Sequence, residues 1–139
     1  DSKLCNILFA KELYSRLQNK SVRPSIIAWA PGLVIPRTSK GFFRYSRKYN
    51  ELGQRIFAFL ARDIFRISDS TENAGSLLAQ LATKEQYTSD LFKYFSNKLI
   101  SPGKFNLEEA DISEEANNHN LSYKLWELSD KLILESKIK

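Results

Sequence analysis

Methionine is absent from all 139 residues, and cysteine and histidine occur once each. A single cysteine, Cys5, excludes an internal disulfide and cannot build a metal site by itself. With His119 as the one imidazole, little is left for metal or proton-shuttle chemistry. No apolar run approaches the ~18 residues needed to span a bilayer. The opening DSKLCNILFAKEL lacks the basic start and small-residue cleavage site of a signal peptide. A glycine-rich fingerprint, a P-loop and a Ser-His-Asp set are missing too. The acidic group Glu108, Glu109, Asp111, Glu114 and Glu115 has no calcium-loop spacing and reads as solvated surface or a helix-dipole match. Because a translated chain begins with methionine, the expectation is a processed chain or a fragment. What is present is 42% hydrophobic and 27% charged, a globular mix of at most one domain.

The net charge of +5 is unevenly distributed. Residues 1–36 carry a net of +3, residues 37–66 a net of +6 and residues 67–139 a net of −4. The middle block interleaves Arg37, Lys40, Arg44, Arg47, Lys48, Arg55, Arg62 and Arg66 with Phe42, Phe43, Tyr45, Tyr49, Phe57, Phe59 and Phe65. Such a block suits an anionic lipid surface or an acidic ligand. Nucleic acid is set aside, because half of these aromatics recur at helical spacing and read as core rather than as free stacking platforms. The plainer reading of the block is a solvated helix face with snorkelling arginines.

Leu4, Ile7, Leu8, Leu13, Tyr14 and Leu17 predict an amphipathic helix over 3–18. SIIAWA (25–30) is a β-rich apolar run stopped by Pro31-Gly32, and it reads as a strand buried on both faces. Residues 33–48 read as loop. Leu52, Ile56, Phe57, Phe59, Leu60 and Ile64 predict a second helix over 50–65. Asp69 followed by Glu72 reads as an N-cap with its capping-box partner, opening a third helix to about Ala82. Residues 91–96 are a second strand candidate, Pro102-Gly103 is a turn, and 104–112 read as irregular. A last helix begins near Ser113 or Asn118 and ends at Glu135, with Leu121, Leu125, Leu128 and Leu132 as its core stripe, widened by Trp126 and Ile133. Two strands do not make an independently stable sheet. The fold class expected is therefore α/β and helix-rich, the C-terminal half of a Rossmann-like parallel-sheet domain, with residues 1–139 as one portion and the N-terminal half absent. Ligands at such sheets lie at the carboxyl ends of the strands, so the loop after Ala30 would border one.

Lys3 with Asn6, then a helix, then IIAWAPG, resembles the second half of a short-chain dehydrogenase/reductase. In that superfamily a Tyr-x-x-x-Lys pair opens this helix and Pro-Gly ends the next strand. More narrowly, DSKLCN resembles the light-dependent protochlorophyllide reductases, which carry a run close to Tyr-Lys-Asp-Ser-Lys-x-Cys-Asn. The likeness continues through GFFR (41–44), ENAGSLLAQLA (72–82), DLFKYFSNK (90–98) and ISEEA to LWELSDKLI (112–133). It implies that Lys3 is the active-site lysine, with its tyrosine two residues upstream of Asp1. It implies NADPH as cofactor, bound by Lys3 and by Pro31, Gly32, Leu33, Val34, Ile35 and Thr38. It implies protochlorophyllide as substrate, reduced at its C17=C18 bond, with Leu33, Arg37, Phe42, Phe43 and Tyr45 on the pigment side and Arg37 or Arg44 at its carboxylate. The fragment alone is expected to be inactive. A cyanobacterial cytoplasm, a thylakoid surface or a plastid would suit such an enzyme.

Two positions depart from the family. Leu33 stands where a cysteine commonly follows Pro-Gly, and Pro36 stands where the superfamily often has threonine, with Thr38 nearby. These leave open another short-chain dehydrogenase acting on an apolar carbonyl or alcohol. A third reading is a non-enzymatic basic helical module for a membrane or protein partner. Phe42 and Phe43 suit packing or a homo-oligomer contact as well as a pigment, Cys5 reads as a buried small apolar group, and His119 reads as an exposed helix-start residue.

Overall fold

The computed structural model describes residues 2–21, 24–37 and 50–136. In chain order these form α1 (Ser2–Leu17), β1 (Ile27–Ala30), α2 (Glu51–Phe59), α3 (Thr71–Thr83), β2 (Lys93–Ser101), β3 (Lys104–Glu109) and α4 (His119–Ser136). A wide π turn, Leu60–Ile64, prolongs α2, and a 3-10 turn, Glu85–Tyr87, follows α3. The fold is mixed α/β with a sheet in the order β1-β2-β3, as expected of part of a Rossmann-like domain. β1 runs parallel to β2, and β2 and β3 form an antiparallel hairpin. Pro102 presets the first central position of its two-residue turn, and Gly103, at φ +77°, supplies the left-handed second position.

The chain divides into two compact units. The first comprises residues 1–29, 88–95 and 109–139; the second comprises residues 30–87 and 96–108. In the first, α1 packs on α4. The Phe9 and Trp126 rings stack at 4.9 Å between centroids and 11° between planes. Arg16 donates to Glu12 at 2.8 Å and to Glu127 at 3.1 Å, with its guanidinium 4.7 Å from the centre of the Trp126 ring. Lys11 donates to Asn117 just before α4. Asn118 caps α4, its side chain accepting from the Asn120 and Leu121 amides at 3.0 and 3.2 Å.

The second unit holds α2, α3 and the β2–β3 turn. Asn50 caps α2 by accepting from the Gly53 amide at 2.9 Å. Ala61, Ala74, Leu77, Leu81 and Leu107 are buried here.

Several expectations change. β1 is half-buried along its whole length, because among the described residues it lies at one end of the sheet and pairs only with β2. The second strand is longer than 91–96, and 104–112 contains a third. KFNLEE hides its alternation behind polar letters, yet Leu107 is buried and Phe105 half-buried, with Lys104 and Asn106 exposed. The N-cap of α3 is Ser70, which accepts from the Asn73 amide at 3.0 Å, and not Asp69. The leucine stripe of α4 is exposed at Leu121, Leu128 and Leu132, because the face that α4 turns to α1 carries Trp126 instead. Leu52, Ile56, Phe57, Phe59 and Phe65 of the second helical segment are exposed as well. Cys5 is exposed, two residues after Lys3 on the first turns of α1. His119 opens α4 and is exposed, as expected.

Candidate functional site

Lys3 projects from the first turn of α1 in the first unit; it is exposed and makes no salt bridge among the described residues. Pro31, Gly32, Leu33, Val34, Ile35 and Arg37 lie in the second unit, on the segment that leaves β1. Thr38, Phe42, Phe43, Arg44 and Tyr45 lie outside the described residues.

Gly32 sits at φ +70°, a backbone region that costs other L-residues about 1–2 kcal/mol. A Cβ there would lie 3.4 Å from the Asn97 carbonyl oxygen. Beyond it the chain makes a single parallel bridge, Val34 with Asp69. The Asp69 amide donates to the Leu33 carbonyl at 2.8 Å, and the Ile35 amide donates to the Asp69 carbonyl at 3.2 Å. The peptide groups of Leu33 and Ile35 are thus partly committed within the protein, and Ile35 is buried.

Asp69 is the hub of this region and is only 4% exposed. Its carboxylate accepts from the Ser70 amide at 2.8 Å, from Asn73 Nδ2 at 2.9 and 3.0 Å, and from Asn97 Nδ2 at 3.4 Å. A buried carboxylate requires such a set of donors, since its desolvation is otherwise unanswered. The side chain that reads in the sequence as a helix cap therefore stitches the loop after β1, the start of α3 and β2 together.

Ile35 and Arg37 share a pocket of about 570 Å³ with residues around the N-terminus of α3. Arg62, Arg66, Ser68 and Lys104 line it as well, together with Asp63 and Glu72. The wide π turn makes this possible. The Phe65 amide bonds to the Leu60 carbonyl at 2.8 Å, five residues back, and the Ile67 amide reaches the Ala61 carbonyl at 2.9 Å. Arg66 leaves the turn at φ +54°, unusual for a residue with a side chain. Its carbonyl accepts from the Gly103 amide at 2.8 Å, which fixes the hairpin turn beside it.

Arg62 grips both oxygens of Asp63 at 2.7–3.1 Å, and this bonding holds the Asp63 carboxyl below its ordinary value. Glu72 is also lowered, chiefly by its own backbone N–H, then by the Thr71 and Ser70 hydroxyls, with Arg37 adding a weaker electrostatic pull. Of the pocket residues, the sequence reading picked out only Ile35 and Arg37 as ligand contacts. Arg62 and Arg66 belong to the basic block of the sequence, but Ser68 and Lys104 carry no signal there. The unusual run Arg66-Ile67-Ser68-Asp69-Ser70 after an apolar helix was the available hint. Among the described residues no cluster of His, Cys, Asp and Glu could hold a metal ion.

No protein-family model matches the chain. Protochlorophyllide reductase B, chloroplastic, of Hordeum vulgare is 29% identical over 133 residues, covering 96% of this chain and 31% of the relative. The enzyme of the same name from Oryza sativa subsp. japonica is 29% identical over 134 residues, covering 96% of this chain and 30% of that one. The chain is similar to protochlorophyllide reductases. A third such reductase, from Cucumis sativus, is 28% identical over 133 residues. The chain spans about a third of the length of these protochlorophyllide reductases. The resemblance read from DSKLCN and its downstream runs thus extends over nearly the whole chain.

Proposed function

We propose that the chain is the C-terminal portion of an NADPH-dependent reductase of the protochlorophyllide reductase type. The observation that carries the reading is likeness over 96% of the chain to reductases of that name, joined to a lysine on the first turn of α1. NADPH, when bound, would supply the hydride, and the protein's task is orientation.

The residues after β1 suit that cofactor in part. Gly32, left-handed and without a side chain, leaves its peptide open to close approach by a flat ring. Pro31, Leu33 and Val34 are half-buried beside it and offer apolar surface. Ile35 offers less, since its amide already donates to Asp69. Lys3 would hold the nicotinamide ribose, and its positive charge would favour the ionised form of a tyrosine four residues earlier, readying that group to move a proton. Arg37, exposed beside the pocket, would meet a carboxylate of the pigment. The relatives' names carry the word chloroplastic, and a plastid location is proposed on that ground. No helix among the described residues is long and apolar enough to cross a membrane.

The test is illumination of the full protein with NADPH and protochlorophyllide. Loss of pigment absorption that requires light is expected, and Lys3→Ala should slow it by about a hundredfold or more. Absence of any light-dependent conversion would sink the reading. One observation favours a second reading: Leu33, half-buried after Gly32, stands where the resembled family commonly has cysteine. Dark turnover of an apolar ketone with NADPH, and none of the pigment, would favour that alternative.

A further inference from the structure

The pocket at the start of α3 has spent its acidic groups and kept its donors. Both oxygens of Asp63 are taken by Arg62. Asp69 accepts from one backbone amide and two asparagine side chains. Glu72 turns back onto its own backbone amide and the neighbouring hydroxyls. By contrast, Arg66 and Lys104 form no salt bridge among the described residues, and Arg37 meets Asp63 and Glu72 only through a weaker electrostatic pull. Ser68 decides the matter. It is 7% exposed, it lines the pocket, and its Oγ has no hydrogen-bond partner among the described residues. A buried hydroxyl left unpaired costs about 1–3 kcal/mol, so the pocket holds a polar position awaiting an acceptor.

We propose that this pocket binds an oxyanion-bearing small molecule, with the Ser68 hydroxyl, Arg66 and Lys104 as donors and Arg37 at the rim. Arginine and lysine donors to a phosphate or carboxylate give the short, charge-assisted bonds such groups select. The volume of about 570 Å³ exceeds what a bare inorganic ion fills and lies in the range of small-molecule sites. The ligand is therefore an organic phosphate or carboxylate, anchored by its oxyanion. The inference shares Arg37 and Ile35 with the reductase reading but uses no reactive group and neither Lys3 nor Gly32, so binding measured without pigment or nucleotide tests it separately.

The experiment is equilibrium dialysis of radiolabelled inorganic phosphate against the full protein at low ionic strength, with no pigment and no nucleotide present. Saturable binding of one phosphate is expected. Displacement by phenyl phosphate but not by benzoate assigns a phosphate ligand, and displacement by benzoate assigns a carboxylate. Ser68→Ala, Arg66→Gly and Lys104→Gln should each weaken binding by about tenfold. Lys98→Gln, which alters a cation bonded to Glu108 outside the pocket, should leave it unchanged. Far-ultraviolet circular dichroism checks that the variants keep their fold; Arg66→Gly relieves rather than adds backbone strain, and Ser68→Ala deletes one unpaired atom. Failure of phosphate to saturate overturns the proposal. So does a Ser68→Ala variant that binds as the parent does, or a loss in Lys98→Gln equal to that in Lys104→Gln, which would mean diffuse surface charge.

Discussion

The two compact units are built on different chemistry. In the first, α1 and α4 meet through side chains: the Phe9–Trp126 stack, the Arg16 guanidinium over Trp126, and the bonds from Arg16 to Glu12 and Glu127. In the second, the region around the start of α3 is held by a network of polar bonds, with the carboxylate and peptide groups of Asp69 at its centre. A packed pair tolerates change gradually, because each contact is small and its neighbours relax. A buried polar hub does not, because removing one partner leaves several groups unsatisfied at once.

The largest expected effect follows from that difference. Asp69→Ala strips the acceptor from the Ser70 amide, Asn73 and Asn97, and should cost about 3 kcal/mol or more in urea denaturation. Trp126→Ala, the matching cut in the first unit, should cost about 2 kcal/mol by the same assay, below the range for a fully buried tryptophan because this ring is half-buried. If Trp126→Ala proves the more damaging, the contrast between the units fails. Arg66→Gly should act in the opposite direction and stabilise by about 1 kcal/mol, since glycine takes φ +54° without strain; a loss of stability there would mean that the guanidinium already has a partner worth more than the strain.

The smallest effect concerns acid. Glu72 sits below its ordinary value of 4.5 in the folded chain, first through its own backbone N–H. A carboxyl depressed by folding adds stability that is complete above the unfolded value and is lost as pH falls through the folded one. Thermal melting should therefore decline as pH drops below about 4.5, and Glu72→Gln should flatten that decline. Asp63, lowered by Arg62, adds a similar slope beginning near 3.8.

Much of the fold was legible because periodicity is legible. Leu4, Ile7, Leu8 and Leu17 announce α1, Pro102-Gly103 announces the hairpin turn, and IIAWA announces β1 within two residues. β3 was missed because Lys104, Asn106, Glu108 and Glu109 mask the alternation of Phe105 and Leu107. The stripe of α4 was read correctly as apolar and wrongly as core, since a pattern shows which residues share a face but not what stands opposite. Lys3 was found by resemblance. The pocket was not found, because Arg66, Ser68 and Lys104 are far apart in the chain, and only the π turn and the hairpin bring them to one place.

The bond from the Gly103 amide to the Arg66 carbonyl has a kinetic corollary. Gly103 is exposed, and an amide in an exposed turn ordinarily trades its proton with water almost as fast as in an unfolded chain. Here that proton is engaged at 2.8 Å, so its exchange must wait for the hairpin and the end of the π turn to part. One surface glycine thus serves as a clock for how often the hairpin turn and the π turn part, readable in deuterated solvent without any substitution.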